Sequence, residues 1–122
     1  MQILVVEDDH DTRVLLRATL EQAGFVVETA ANGRDAIARL RAMEPPPCLL
    51  IIDLLMPVMD GFELIAFVRK DARLAQVPIG IQSANVDTTL PGGVAFVLPK
   101  PVDVDALLAF VRHHCPTPAS VA

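Results

Sequence analysis

The chain has 122 residues, 52% of them apolar, with a formal net charge of -5. That suffices for one domain with a real core and is too little for two, and the acidic balance offers no basic face to a nucleic-acid backbone. Asp53 and Pro57 cut the longest apolar stretch well short of the roughly 20 residues that cross a bilayer, and the opening MQILVVEDD turns acidic where a secretory leader would be basic, so the expectation is a cytoplasmic protein with no membrane insertion.

Five short apolar runs read as strands: Ile3 to Val6, Val26 to Thr29, Leu49 to Ile52, Ile79 to Gln82 and Ala95 to Leu98. Most lack alternation, as strands covered on both faces of a parallel sheet do. Helical periods lie between them. After the first strand, Asp9 or Asp11 can cap a helix with Arg13, Arg17 and Glu21 as its polar stripe opposite Leu15, Leu16 and Ala18, ended by Gly24. Gly33 opens a second, with Ala36, Ile37, Leu40 and Met43 on one face, stopped by Pro45, Pro46 and Pro47. Asp60 and Gly61 open a third, in which Leu64, Ile65 and Val68 face inward and Arg69 and Lys70 suit the dipole at its end. The link between the fourth and fifth strands is the weak one. Pro91, Gly92 and Gly93 confine a helical window to Asn85 to Leu90, roughly 9 Å at 1.5 Å per residue, so the fourth helix is predicted to be a turn or two or irregular. Asp103 caps the last helix, whose apolar stripe is Leu107, Phe110 and Val111. Residues 116–122, PTPASVA, have no periodicity and are expected to form a flexible tail on a domain of residues 1–115.

In a doubly wound α/β sheet, sites form beyond the carboxyl ends of the strands. Glu7 and Asp8 follow the first strand, Asp53 ends the third, Ser83 ends the fourth and Lys100 follows the fifth, so all five reach one rim. A carboxylate closing the apolar run LLII is costly unless a cation compensates it. Two like charges about 4 Å apart repel by roughly 4 kcal/mol at an effective dielectric near 20, which makes a bound cation or raised pKa values the expected outcome. Cys48 and Cys115, far apart and without CxxC or metal spacing, are read as two small apolar packers in a reducing compartment. His10, His113 and His114 are read as solvated or helix-end residues.

VVEDD, IIDLLMP followed by DG, the Ser83-Ala84 step and LPKP, each at a predicted strand end, resemble the receiver domain of two-component response regulators over essentially the whole chain. The resemblance implies a flavodoxin-like, doubly wound, five-stranded parallel sheet of order 2-1-3-4-5 with helices on both faces. It implies Asp53 as phosphoryl acceptor, and Mg2+ held by Glu7, Asp8 and Asp53 with the backbone carbonyl of Leu55. Ser83 would be the switch hydroxyl and Lys100 the lysine that meets the phosphoryl group. A histidine kinase or histidine phosphotransfer protein would be the donor and an unidentified protein the downstream partner. The implied protein is a stand-alone signalling domain rather than an enzyme, although it would assist its own phosphorylation and dephosphorylation. The alternative is a receiver-like binding module that acts independently of phosphorylation. A haloacid-dehalogenase-like phosphatase would need a second acid where Leu55 stands.

Two departures from the family bear on output. The stretch from Ser83 to Lys100 looks shortened where the fourth helix belongs. The position of the aromatic switch falls on Val97, with Phe96 one residue earlier, so either the strand shifts register or Phe96 is only core. The resemblance also implies a cis Lys100-Pro101 bond, which proline permits.

Overall fold

Strand β1 (Gln2–Val6) is an interior strand of the sheet, and both of its faces are apolar: Ile3, Leu4, Val5 and Val6 have no solvent access in the computed structural model, which describes residues 2–54, 56, 58–84 and 92–115. It is flanked by β2 (Val26–Ala30) and β3 (Leu49–Asp53), and β4 (Ile79–Ser83) and β5 (Phe96–Pro99) continue the sheet beyond β3. The order is β2-β1-β3-β4-β5 and every pairing is parallel. This is the flavodoxin-like arrangement that the sequence predicts.

Helices α1 (His10–Gln22) and α4 (Val104–His114) pack on one face, where Leu16, Leu20, Leu107 and Val111 meet Ile3, Val5, Leu49, Ile51 and Leu98. Helices α2 (Gly33–Ala42) and α3 (Gly61–Lys70) cover the other, where Ala36, Leu40, Leu64 and Val68 meet Leu4, Val6, Leu50, Ile52 and Ile81. Side chains alternate across a strand, so each covered face claims every second residue and the strands read as unbroken apolar runs.

Each helix begins at a side chain that accepts orphan amide protons. Asp9 accepts from the Thr12 amide, Asn32 from Asp35 and Asp103 from Asp105 and Ala106. Asp60 and Glu63 cap each other's amides in a reciprocal box at the start of α3. α2 ends at Ala42, ahead of Pro45. Segment 85–91, to which the predicted short fourth helix belongs, and tail 116–122 lie outside the described residues.

Three sequence readings are corrected or resolved. The inward stripe of α1 is Leu16 and Leu20, four residues apart; Leu15 points outward at 61% exposure and Ala18 is also exposed, while Arg13 turns in toward the β1–α1 loop. Cys48 and Cys115 are not separate thiols but a disulfide with a Cα–Cα distance of 5.7 Å, within bridging range. The start of β3 and the end of α4 meet there, 67 residues apart in sequence. Finally, Phe96 stacks on Phe110, with ring centroids 4.7 Å apart, in the core beneath α1 and α4, whereas Val97 packs against the opposite core.

Candidate functional site

Odd-numbered residues of β1 and β3 face α1 and α4, and carrying that alternation one residue past β1 sets Glu7 beside Asp53, the last residue of β3. Asp8 follows on the loop to α1. Ligand oxygens of Glu7, Asp8 and Asp53 all lie within 4.8 Å of one another. Glu7 is fully buried, Asp53 nearly so, and Asp8 is exposed, so the cluster opens to solvent on one side.

Lys100 enters from the end of β5. Its Nζ donates to Glu7 Oε1 at 2.6 Å and to Asp53 Oδ2 at 3.0 Å. Its backbone amide donates to the Ser83 carbonyl at 3.0 Å, which ties the lysine to the end of β4, and the bond to Pro101 is cis. Ser83 is buried at that strand end, in register with Pro99. The structure therefore brings Glu7, Asp8, Asp53 and Lys100 into direct contact range and places Ser83 beside the lysine backbone. Leu55, predicted to offer its carbonyl, lies outside the described residues.

Neighbouring groups hold the loops in place. Arg13 donates to the carbonyl of Glu7 at 2.8 Å. Gly61 donates its amide to the Leu54 carbonyl at 3.0 Å, and a Cβ at Gly61 would stand 2.7 Å from Leu54 Cα and 2.8 Å from the Asp53 carbonyl. Only glycine lets α3 start so close behind the acid.

Burial, reinforced by the adjoining Asp53, pushes the Glu7 pKa up to about 7 against the opposing pull of Lys100 and the Asp9 amide. Burial pulls the Lys100 pKa down, but its hydrogen bonds to Glu7 and Asp53 outweigh that and hold it above the usual lysine value. One ammonium among three carboxylates leaves negative charge uncompensated. The donors are all hard oxygens, one side is open to water, and a small divalent cation such as Mg2+, which keeps several waters and takes one or two carboxylates, fits that donor set.

Two contributors escaped the sequence reading. Arg13 was assigned to the solvent stripe of α1. Gln82 passed as part of a strand, yet it is 1% exposed and its Nε2 donates to Glu7 Oε1 at 3.3 Å. An amide between Ile81 and Ser83 in an apolar strand was the available signal, of the same kind as the one that singled out Asp53.

A family model described as the response regulator receiver domain matches residues 3–112. An uncharacterized 14.6 kDa protein in the sodA1 3' region of Leptolyngbya boryana is 41% identical over 94% of this chain and 90% of its own length. The DNA-binding dual master transcriptional regulator RpaA of a Synechocystis strain is 34% identical over 91% of this chain; the match spans 47% of RpaA, about half of that longer protein. Among solved structures, the chemotaxis response regulator CheY4 of Vibrio cholerae superposes with a TM-score of 0.81 at 31% identity, covering 93% of this chain and 98% of that one. The response regulator TrrA of Thermotoga maritima, solved in complex with Mg2+ and BeF, gives 0.82 at 26% identity with the same coverage.

Proposed function

The chain belongs to the response regulator receiver family, and from that premise we propose that it is a single-domain receiver, spanning residues 1–115, that accepts a phosphoryl group on Asp53 in a Mg2+-dependent reaction. The donor is a histidine kinase or histidine phosphotransfer protein, and the output is a phosphorylation-dependent contact with another protein. Receivers are signalling domains and are not classed as enzymes, although this one assists its own phosphorylation and dephosphorylation. The single-domain reading draws support from the Leptolyngbya relative, which this chain matches along 90% of its length.

The observation that carries the reading is the Lys100 ammonium bridging Glu7 and Asp53 at the carboxyl ends of β1, β3 and β5. Asp53 supplies the nucleophile. Its carboxylate oxygen attacks phosphorus, the bond from phosphorus to the donor's imidazole nitrogen breaks, and that nitrogen keeps the electron pair. Glu7, Asp8 and Asp53, with the Leu55 carbonyl, would hold Mg2+, which when bound supplies positive charge to the phosphoryl oxygens. Lys100 offsets the charge that builds on those oxygens. The acyl phosphate then offers three strong acceptor oxygens, toward which the Lys100 ammonium and the Ser83 hydroxyl move. That movement is the switch.

Partner contact has a surface beside the site. A groove of about 420 Å³ between α1 and α4 is lined by Thr12, Leu15, Leu16, Lys100, Pro101 and Val104, and Leu15 and Val104 are exposed apolar residues. No helix among the described residues is long and apolar enough to cross a membrane. The cytoplasm is the proposed setting.

Mg2+ with acetyl phosphate tests the acceptor directly. Mass measurement should find one phosphoryl adduct on the wild type and none on Asp53→Asn; an undiminished adduct on the variant places the acceptor elsewhere. A partner whose affinity is the same with and without beryllium fluoride would favour the phosphorylation-independent binding module instead.

A further inference from the structure

Gln82 is the one amide side chain in β4, and its position follows from strand alternation. Residues 80 and 82 face α1 and α4: the Phe96 ring lies over Gly80, and Gln82 sits level with Asp53 on β3 and Leu98 on β5. At 1% exposure its amide has no water to turn to, and a buried amide must find protein partners. It reaches Glu7 Oε1 through Nε2 at 3.3 Å. The same oxygen accepts from Lys100 Nζ at 2.6 Å, and Glu7 Oε2 accepts from the Asp9 amide at 3.2 Å. Three donors on three separate segments thus converge on one buried carboxylate.

These donors differ in what else they serve. Lys100 is shared with Asp53, and under the proposed function it turns to the phosphoryl group once Asp53 is modified. Glu7 Oε1 would then lose its strongest partner in a place without water, and a buried acceptor left unmade is costly. Gln82 has no such second duty toward Asp53 in the hydrogen bonds described, and it stands on β4, one residue before Ser83. From this geometry we infer that Gln82 is a positioning residue: it holds the Glu7 carboxylate in the orientation that a divalent cation needs, and keeps it held when Lys100 leaves. The inference rests on the receiver reading for its purpose and on the Gln82–Glu7 hydrogen bond for its means. Partners that orient a metal-binding side chain commonly change metal affinity by about 10–100-fold when they are removed.

Gln82→Met keeps the length and most of the volume and deletes the donor. Mg2+ alone is titrated into the wild type and the variant by calorimetry, and the Glu7 carboxyl carbon is followed by NMR against pH in the metal-free proteins. The expected result is Mg2+ binding weakened by about tenfold together with a Glu7 midpoint moved up by about half a pH unit, because a donor to the charged form is gone. A variant that binds Mg2+ as the wild type does overturns the inference. So does weaker binding with an unmoved Glu7 midpoint, since Gln82 would then act other than through Glu7. Should the methionine variant fail to fold, Gln82→Leu takes its place with the same readouts. A wild type that binds no Mg2+ sinks the receiver reading, and the Glu7 midpoint still decides whether Gln82 holds that carboxylate.

Discussion

Glu7 carries a carboxyl with no solvent access and a pKa pushed up to about 7 from 4.5, chiefly by burial, so its charge opposes folding rather than supporting it. Below about pH 4.5 the folded and unfolded states both hold the proton, and Glu7 is neutral to stability. Between there and about pH 7 the folded chain holds a proton that the unfolded chain has lost, so stability falls as pH rises, by at most about 1.4 kcal/mol per pH unit. Glu7→Gln lacks this proton. In metal-free urea titrations the wild type should therefore lose ground to Glu7→Gln from pH 5 to pH 7, with the gap levelling off above; parallel curves would mean that Glu7 is not held protonated. Val58, in the loop between β3 and α3, presents the reverse case of a local cost with an accessible remedy. It has φ of 72° and is 68% exposed, so a β-branched residue occupies the left-handed region with little packing in return. That conformation costs roughly 1–2 kcal/mol for most residues, and asparagine tolerates it better. Val58→Asn should stabilise the chain by about 1 kcal/mol in the same titrations, and an unchanged or lower midpoint would show that the valine side chain is held by contacts worth more than its strain.

Among the elements, β4 and β5 are joined by one close fit. A Cβ built on Gly80 would fall 2.1 Å from Cζ of Phe96, so the strand is bare at 80 because the neighbouring ring occupies that space, and the ring is stacked in turn on Phe110 of α4. Overpacking of this kind costs typically about 1–3 kcal/mol. Gly80→Ala should destabilise by about that much alone and by well under about 1 kcal/mol when added to Phe96→Leu, a coupling that a double-mutant cycle in urea reads directly. Equal costs in both backgrounds would mean that the ring does not fill the site. The element pattern itself was largely legible. Apolar runs marked all five strands to within a residue or so, and Asp9, Asp60 and Asp103 were recognisable as the side chains that start helices. What sequence alone left open was which face each residue takes. In α1, Leu15 and Leu16 are equally apolar, and only packing against Ile3 and Val5 selects Leu16. In β5, Phe96 and Val97 both suit a buried strand, and the pairing of Gly80 with Phe96 is what leaves room for the larger side chain on the α1 and α4 face.

Across the whole molecule, the acidic site was readable because a charge at the end of an apolar strand is expensive, and the doubly wound rule sends every strand's carboxyl end to one rim. The partner of Gln82 and the disulfide were not readable, for a common reason: each joins residues whose proximity exists only after the sheet is assembled, 75 residues apart in one case and 67 in the other. The disulfide also acts at the far end of the sheet from the chemistry. Cys48 immediately precedes β3 and Asp53 closes it, and five residues at about 3.3 Å each put roughly 16 Å between them. Closing a loop of 67 residues removes conformational freedom from the unfolded chain worth about 4 kcal/mol in the chain-entropy account, while the folded core around Leu107 and Val111 is already packed. Dithiothreitol should therefore lower the stability of the wild type by about that amount, and the Cys48→Ala, Cys115→Ala double variant should be insensitive to it. Acetyl phosphate should still modify Asp53 in the reduced protein at conditions where it remains folded, because the tether and the acidic pocket sit at opposite ends of β3. Identical unfolding curves with and without reductant would mean that the two sulfurs are not joined, and loss of modification on reduction would mean that the tether reaches the site through the helices that pack on it.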